Sequence, residues 1–228
     1  MTQKKLLRDL ISLLQPKLDS FDFKPNLKEQ GFYRKDGMIT YYFYFLLYNR
    51  TNIKSGDKGF LIEPYIRIGF DEIERYYKAI TVNASLTSEW NFTTIGNNIA
   101  TFLANPDGIN RKKNESLDLI IWNEEEIQYV ATELYTKFID VAIPYFLTNN
   151  SIEKVDELLN STPREDSVHM TNELWRFIKG IIAAKLNKNP KLFQLIETYN
   201  SLIIEWDMDE DSVREMEQLK SILPEISR

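Results

Sequence analysis

Met38-Ile39-Thr40-Tyr41-Tyr42-Phe43-Tyr44-Phe45-Leu46-Leu47-Tyr48 is the densest β-branched and aromatic run in the chain. Such side chains fit a pleated, half-buried surface, so the run reads as a strand. Asp36-Gly37 before it is a hairpin turn signal. Gly31-Phe32-Tyr33-Arg34-Lys35, on the other side of that turn, reads as the partner strand. Beyond a polar loop from Asn49 to Lys58, the stretch Phe60 to Gly69 reads as a third strand. Pro64 has no ladder donor, which places this strand at a bulge or an edge. Short connections between such strands give a mainly antiparallel sheet.

Alternation assigns the faces. Ile39, Tyr41, Phe43 and Phe45 point one way, and Tyr42 and Tyr44 the other. In the third strand Ile62, Ile66 and Ile68 oppose Glu63, Tyr65 and Arg67. The all-apolar faces call for a helical cover. Tyr42, Tyr44, Glu63, Tyr65 and Arg67 form a mixed face of residue types enriched in binding hot spots.

Outward from the sheet, helical periodicity dominates. Leu6, Leu7, Leu10, Ile11, Leu14 and Leu18 make one face of a helix over Gln3 to Leu18, with Pro16 as a kink or an early end. Asp71 to Ala79 fits a short helix, and Ile80 to Thr87 alternates as a strand does. Asn97 to Asn105 reads as a helix closed by Pro106-Asp107-Gly108, and Leu117 to Trp122 as a short strand. Asn123 with Glu126 opens a helix through a capping box, and Pro144 ends or kinks it. Further helices are predicted over 151–160, 172–186, 191–205 and 212–223. The fold class is α+β: an N-terminal helix and a mainly antiparallel sheet, followed by packed C-terminal helices. An α+β domain over 1–149 and a helical extension over 150–228 describe the chain, continuous or not.

Composition narrows function. Cysteine is absent and His169 is the sole histidine, so one protomer can build no Cys nucleophile, thiolate-ligated metal or multi-His site. No apolar run approaches the roughly 18 residues of a membrane span, and the charged start reads as an amphipathic helix and no signal peptide. A cytoplasmic protein without membrane contact is expected. The net charge of −6 divides into +3 over residues 1–120 and −9 over 121–228. No basic stripe for duplex nucleic acid is visible, and the acidic half would attract a basic protein partner.

Candidate chemistry is sparse. His169, in Asp166-Ser167-Val168-His169-Met170, reads as an exposed loop histidine. Asp207-Met208-Asp209-Glu210-Asp211 imitates a calcium loop, but the Gly and Glu such a loop needs are replaced by Ser212 and Gln218. Ser212 with Glu215 reads instead as a capping box. No phosphate-binding glycine loop occurs. No catalytic residue, metal site or cofactor is assigned.

One pattern carries a family resemblance. It runs from the leading helix through Gly31-Phe32-Tyr33-Arg34, the aromatic strand and Tyr65-Ile66-Arg67-Ile68-Gly69-Phe70. It continues in the Ile127-to-Ala142 helix, Ile143-Pro144-Tyr145-Phe146 and Ser151-Ile152-Glu153-Lys154-Val155. This resembles bacterial domain-of-unknown-function proteins built of a helix, an antiparallel sheet and helices, over roughly residues 5–160. Some of these are thought to be immunity partners of toxins. The resemblance implies an α+β fold and a protein-binding role, and supplies no catalytic residue.

The expectation is a non-catalytic interaction protein, immunity-like, engaging a basic partner through the tyrosine face or through Asp207, Asp209 and Asp211. The alternatives are a metal-dependent hydrolase-type enzyme using carboxylates, and a small-ligand or single-strand nucleic-acid module on the tyrosine face.

Overall fold

The computed structural model describes residues 1–82, 93–112 and 115–227. It has the α+β architecture read from the sequence. Helix α1 (Gln3–Leu18) is capped by Thr2, whose hydroxyl accepts from the Lys5 amide. Pro16 sits inside its last turn without ending it. The sheet holds β1 (Lys24–Asn26), β2 (Gly31–Asp36), β3 (Ile39–Thr51), β4 (Lys58–Phe70) and β5 (Ile95–Asn98), antiparallel in that order. A short β6 (Ile120–Ile121) joins β4 at Phe60 and Leu61. Of the predicted alternating strand, Ile80 ends α2 (Asp71–Ile80), and residues 83–87 lie outside the described residues.

Pro64 is neither bulged nor on an edge strand: β4 lies between β3 and β5, and Pro64 pairs with Phe45 in unbroken register. The physical reason is direction. The Ile62 amide points away from β3 to the Leu119 carbonyl at 2.8 Å, so the even residues of β4 face away from β3. The donor that Pro64 lacks would point between β6 and β5, where neither strand reaches.

One sheet face is the main core. Phe32, Tyr41, Phe43 and Phe45 lie there, and Phe43 meets Phe138 at 5.2 Å between ring centroids. Phe23 packs edge-on to Phe138 and stacks with Phe146. Those covering rings come from one helical run: α4 (Ile127–Lys137), a π turn over Phe138–Ala142, and α5 (Ile143–Thr148). Pro144 does not end this run. The π turn, closed by the Ile143 amide donating to the Phe138 carbonyl, takes up the irregularity. The capping box of Asn123 and Glu126 starts the segment as read.

Helices α6 (Ile152–Asn160), α7 (Glu173–Leu186), α8 (Leu192–Glu205) and α9 (Glu210–Ile222) follow. The buried apolar cluster is continuous from α1 and the sheet into these helices. Gly180 lets α7 approach α6: a Cβ there would lie 2.5 Å from the Asn160 amide oxygen. Asn160 donates to the Gly180 carbonyl at 2.8 Å and accepts from the Tyr199 hydroxyl at 2.7 Å, which satisfies a buried amide. The α9 cap departs from the expected one. Asp209 caps the helix and accepts from the Ser212 amide and hydroxyl, while Glu215 accepts from the Thr81 hydroxyl and the Val82 amide. Among the described residues no helix is long and apolar enough to cross a membrane.

Candidate functional site

Register puts the mixed residues together. Tyr42 pairs with Arg67, Tyr44 with Tyr65, and Leu46 with Glu63. Tyr44 is buried, stacked on Tyr65 at 5.2 Å and 24°, with the Arg67 guanidinium 4.8 Å from its ring centroid. These contacts close the middle of the face. Gly31 is required beside it, because a Cβ there would run into the Phe43 carbonyl and Tyr44.

The face opens at the Glu63 end into a recess of about 800 Å³. Its floor carries Glu63, Tyr65 and Tyr48. One wall comes from Asn97, Asn98 and Thr101, and another from Glu115 and Ser116. Asp166, Thr171 and Glu173 close it. Asn98 sits opposite Tyr65 in the ladder and serves twice. Its side-chain oxygen caps α3 (Ile99–Ala104) by accepting from the Ala100 amide, and its nitrogen donates to Glu63 Oε2 at 3.3 Å. The Tyr65 hydroxyl also donates to Glu63 Oε2 at 3.3 Å. Burial, and next the charge of Glu63, push the Tyr65 hydroxyl up to about 12, so it stays protonated and remains a donor.

The predicted helix from Asn97 thus begins two residues late and follows a strand, since Asn97 and Asn98 end β5. Gly96 is the enabling position: its φ of +144° and its contact with the Ile66 carbonyl and Arg67 leave no space for a Cβ. The segment 166–169 docks on this edge. The Gly96 amide donates to the His169 carbonyl at 2.7 Å, and Asn97 Nδ2 to the Val168 carbonyl at 2.9 Å.

His169 is therefore no exposed loop residue. Its ring stacks on Tyr145 and lies against Phe102, with Nδ1 3.1 Å from the Tyr145 hydroxyl. Burial pushes its pKa down to about 4, so the ring is neutral at pH 7. It braces the back of the recess wall; its ring lines a separate apolar groove.

Charge in the recess is asymmetric. Among the described residues, Glu63, Glu115, Asp166 and Glu173 line it, with Arg50 as the one cation. Arg176, buried behind Glu173, lies 3.1 Å from its carboxylate. The Tyr42 end of the face opens into a second depression of about 610 Å³, where Glu29, Asp71 and Glu74 balance Lys35, Arg75 and Lys78. The acidic helical residues have structural tasks. Asp209 caps α9, and the Ser212 hydrogen bonds hold its carboxyl below the usual range. Asp211 pairs with Arg214 at 3.0 Å, and Asp207 takes a left-handed turn at φ 48°. Asp209 and Asp211 reach a shallow depression that shares Thr171 and Glu173 with the recess; Asp207 lines neither. Among the described residues, no three His, Asp or Glu side chains converge as metal ligands do.

Sequence reasoning missed Asn98, Asn97, Glu115 and Asp166 as recess residues. The one local signal was the amide pair Asn97-Asn98, which also fits a helix cap. No protein-family model, no curated protein and no solved structure matches this chain.

Proposed function

We propose that this chain is a non-catalytic protein-interaction protein, of the immunity type, whose recess receives a basic side chain of a partner protein. The observation that carries the reading is the acidic recess beside Tyr65, in which Glu63 is held in place by Tyr65 and Asn98. A guanidinium or ammonium group entering there meets carboxylate acceptors and an aromatic ring, the two groups that recognise such cations. Glu63, Glu115 and Asp166, in a concave site, also steer a basic partner toward it.

The test is capture from native extract at low and high salt by wild type and by the Glu63→Gln/Tyr65→Ala variant. A basic protein retained by wild type at low salt, and reduced at least about tenfold on the variant, supports the reading; truncating a charged hot spot costs about 2 kcal/mol or more. Equal capture by both proteins refutes it.

The recess volume favours one second reading, because about 800 Å³ lies within the roughly 300–1,000 Å³ of small-ligand sites. A thermal-shift titration with agmatine, a free guanidinium compound, addresses it. A rise in Tm for wild type that is absent in Glu63→Gln would assign the recess to a small cation.

A further inference from the structure

The strand edge beside the recess, which shares Asn49 and Arg50 with it, carries an inference of opposite charge. Strand β3 is longer than the neighbour on its β2 side. Strand β2 pairs with Ile39 to Tyr44, and the Phe45 amide then donates to the Gln30 carbonyl at 3.0 Å. From Leu46 to Thr51, β3 pairs only with β4 among the described residues. The Asn52 amide reaches Asp57 across the hairpin end, so even residues of β3 face β4 and odd residues face outward. Leu47, Asn49 and Thr51 therefore direct their amides and carbonyls away from β4, along an edge about 20 Å long that no described strand pairs. Asn49 and Thr51 are exposed, and Ile53 at the hairpin tip is fully exposed.

An open edge of this kind is a template for an added strand. Charge selects the occupant. Arg50, Lys54 and Lys58 lie on the arm against Asp57, while exposed Lys28, in the turn that ends at Gln30, lies 3.9 Å from the Glu29 carboxylate. A basic arm on a chain of net charge −6 favours an acidic partner segment. We propose that β3 residues Leu46–Thr51 accept an extended acidic peptide segment of a partner protein as an additional strand. Backbone pairing to Leu47, Asn49 and Thr51 supplies affinity, and the lysines select acidic side chains. A nucleic acid would use the charges but not the backbone groups.

The probe is a fluorescein-labelled heptapeptide alternating glutamate with valine and threonine, followed by anisotropy. The expected result is saturable binding at low salt that Asn49→Pro weakens at least about tenfold. Proline removes an outward amide that β4 does not use, and edge strands tolerate it. Circular dichroism and Tm verify that the variant folds. If it does not, Lys54→Glu/Lys58→Glu carries the test, with the same expected loss and an unaltered backbone. Asn49 lines the recess and neither lysine does, so Lys54→Glu/Lys58→Glu, measured alongside, distinguishes failure here from failure of the proposed function. Four results would overturn the inference: no saturable binding, binding unchanged in the folded variant, equal binding of a lysine-substituted heptapeptide, or equal binding of a thymidine oligonucleotide. Sedimentation showing a wild-type dimer that Asn49→Pro dissolves would also overturn it, reassigning the edge to a second copy of this chain.

Discussion

Replacing Lys179 by methionine should destabilise this protein more than most single substitutions. Lys179 is fully buried on α7, with Nζ 3.0 Å from the Glu74 carboxylate of α2 and 2.7 Å from the Thr93 carbonyl. The ammonium lies 4.5 Å from the Tyr77 ring centroid and 5.5 Å from that of Trp175. Burial holds the lysine below its ordinary pKa, and Glu74 pulls it back. Lys179→Met fills similar volume but leaves Glu74, 3% exposed, with the Thr94 hydroxyl donating to it at 2.7 Å. Breaking a buried pair on one side costs about 3–5 kcal/mol. That is about a fifth or more of the roughly 5–15 kcal/mol holding a domain together. At about 2–4 °C per kcal/mol for this size, Tm falls by about 6–20 °C. Glu74→Leu in the Lys179→Met background removes the stranded charge and should recover most of the loss, to within about 2 kcal/mol of wild type. Urea unfolding of the four proteins at pH 7 gives the coupling energy directly. A single-variant cost below about 1 kcal/mol, or a double variant whose losses simply add, would refute a charged pair buried between α2 and α7.

Gly180→Ala should cost about 1–3 kcal/mol, since its Cβ meets Asn160 at 2.5 Å and that amide is fixed by Asp156 and Tyr199; a wild-type denaturation midpoint would contradict the close α6–α7 contact. His169 supplies acid sensitivity. Its folded pKa of about 4 lies below the unfolded value of 6.5, so the unfolded chain binds the proton first. The stability is present above pH 6.5 and is lost as pH falls toward 4, by at most about 3 kcal/mol. His169→Gln should flatten that part of the pH–stability curve measured by urea unfolding; an unchanged acid slope would locate the sensitivity elsewhere.

What was legible in the sequence was local. The Asp36-Gly37 turn and the aromatic alternation give β2, β3 and the two faces directly. Ser151 and Asn172 mark helix starts by side chains that accept from amides three residues on. What was not legible depends on distant partners. Asp209 and Ser212 are both competent caps in isolation. Glu215 is drawn away by Thr81 and Val82, 134 and 133 residues distant, so it forms no box with Ser212. His169 sits in a polar linker, yet Tyr145 packs its ring and the amide of Gly96 holds its carbonyl, leaving it half-buried.

The same physics explains why the recess lies at Glu63 and not at Tyr44. Large side chains paired across β3 and β4 stack on each other, so dense tyrosines close their own face in the middle. A site can open only where the sheet stops covering β4. Strand β5 spans Tyr65 to Ile68, while β6 and Leu119 reach Phe60 to Ile62. The interval between them holds Glu63 and Pro64. A non-proline residue at 64 would leave an amide pointing into that split without a ladder partner, a costly arrangement in a buried strand. Proline removes the donor and lets the sheet part, with Asn97 and Asn98 on one side and Glu115 and Ser116 on the other. The residue that reads as an edge signal in the sequence is thus the mark of the recess itself: Pro64 tolerates the gap, and Glu63 beside it points into the space the gap creates.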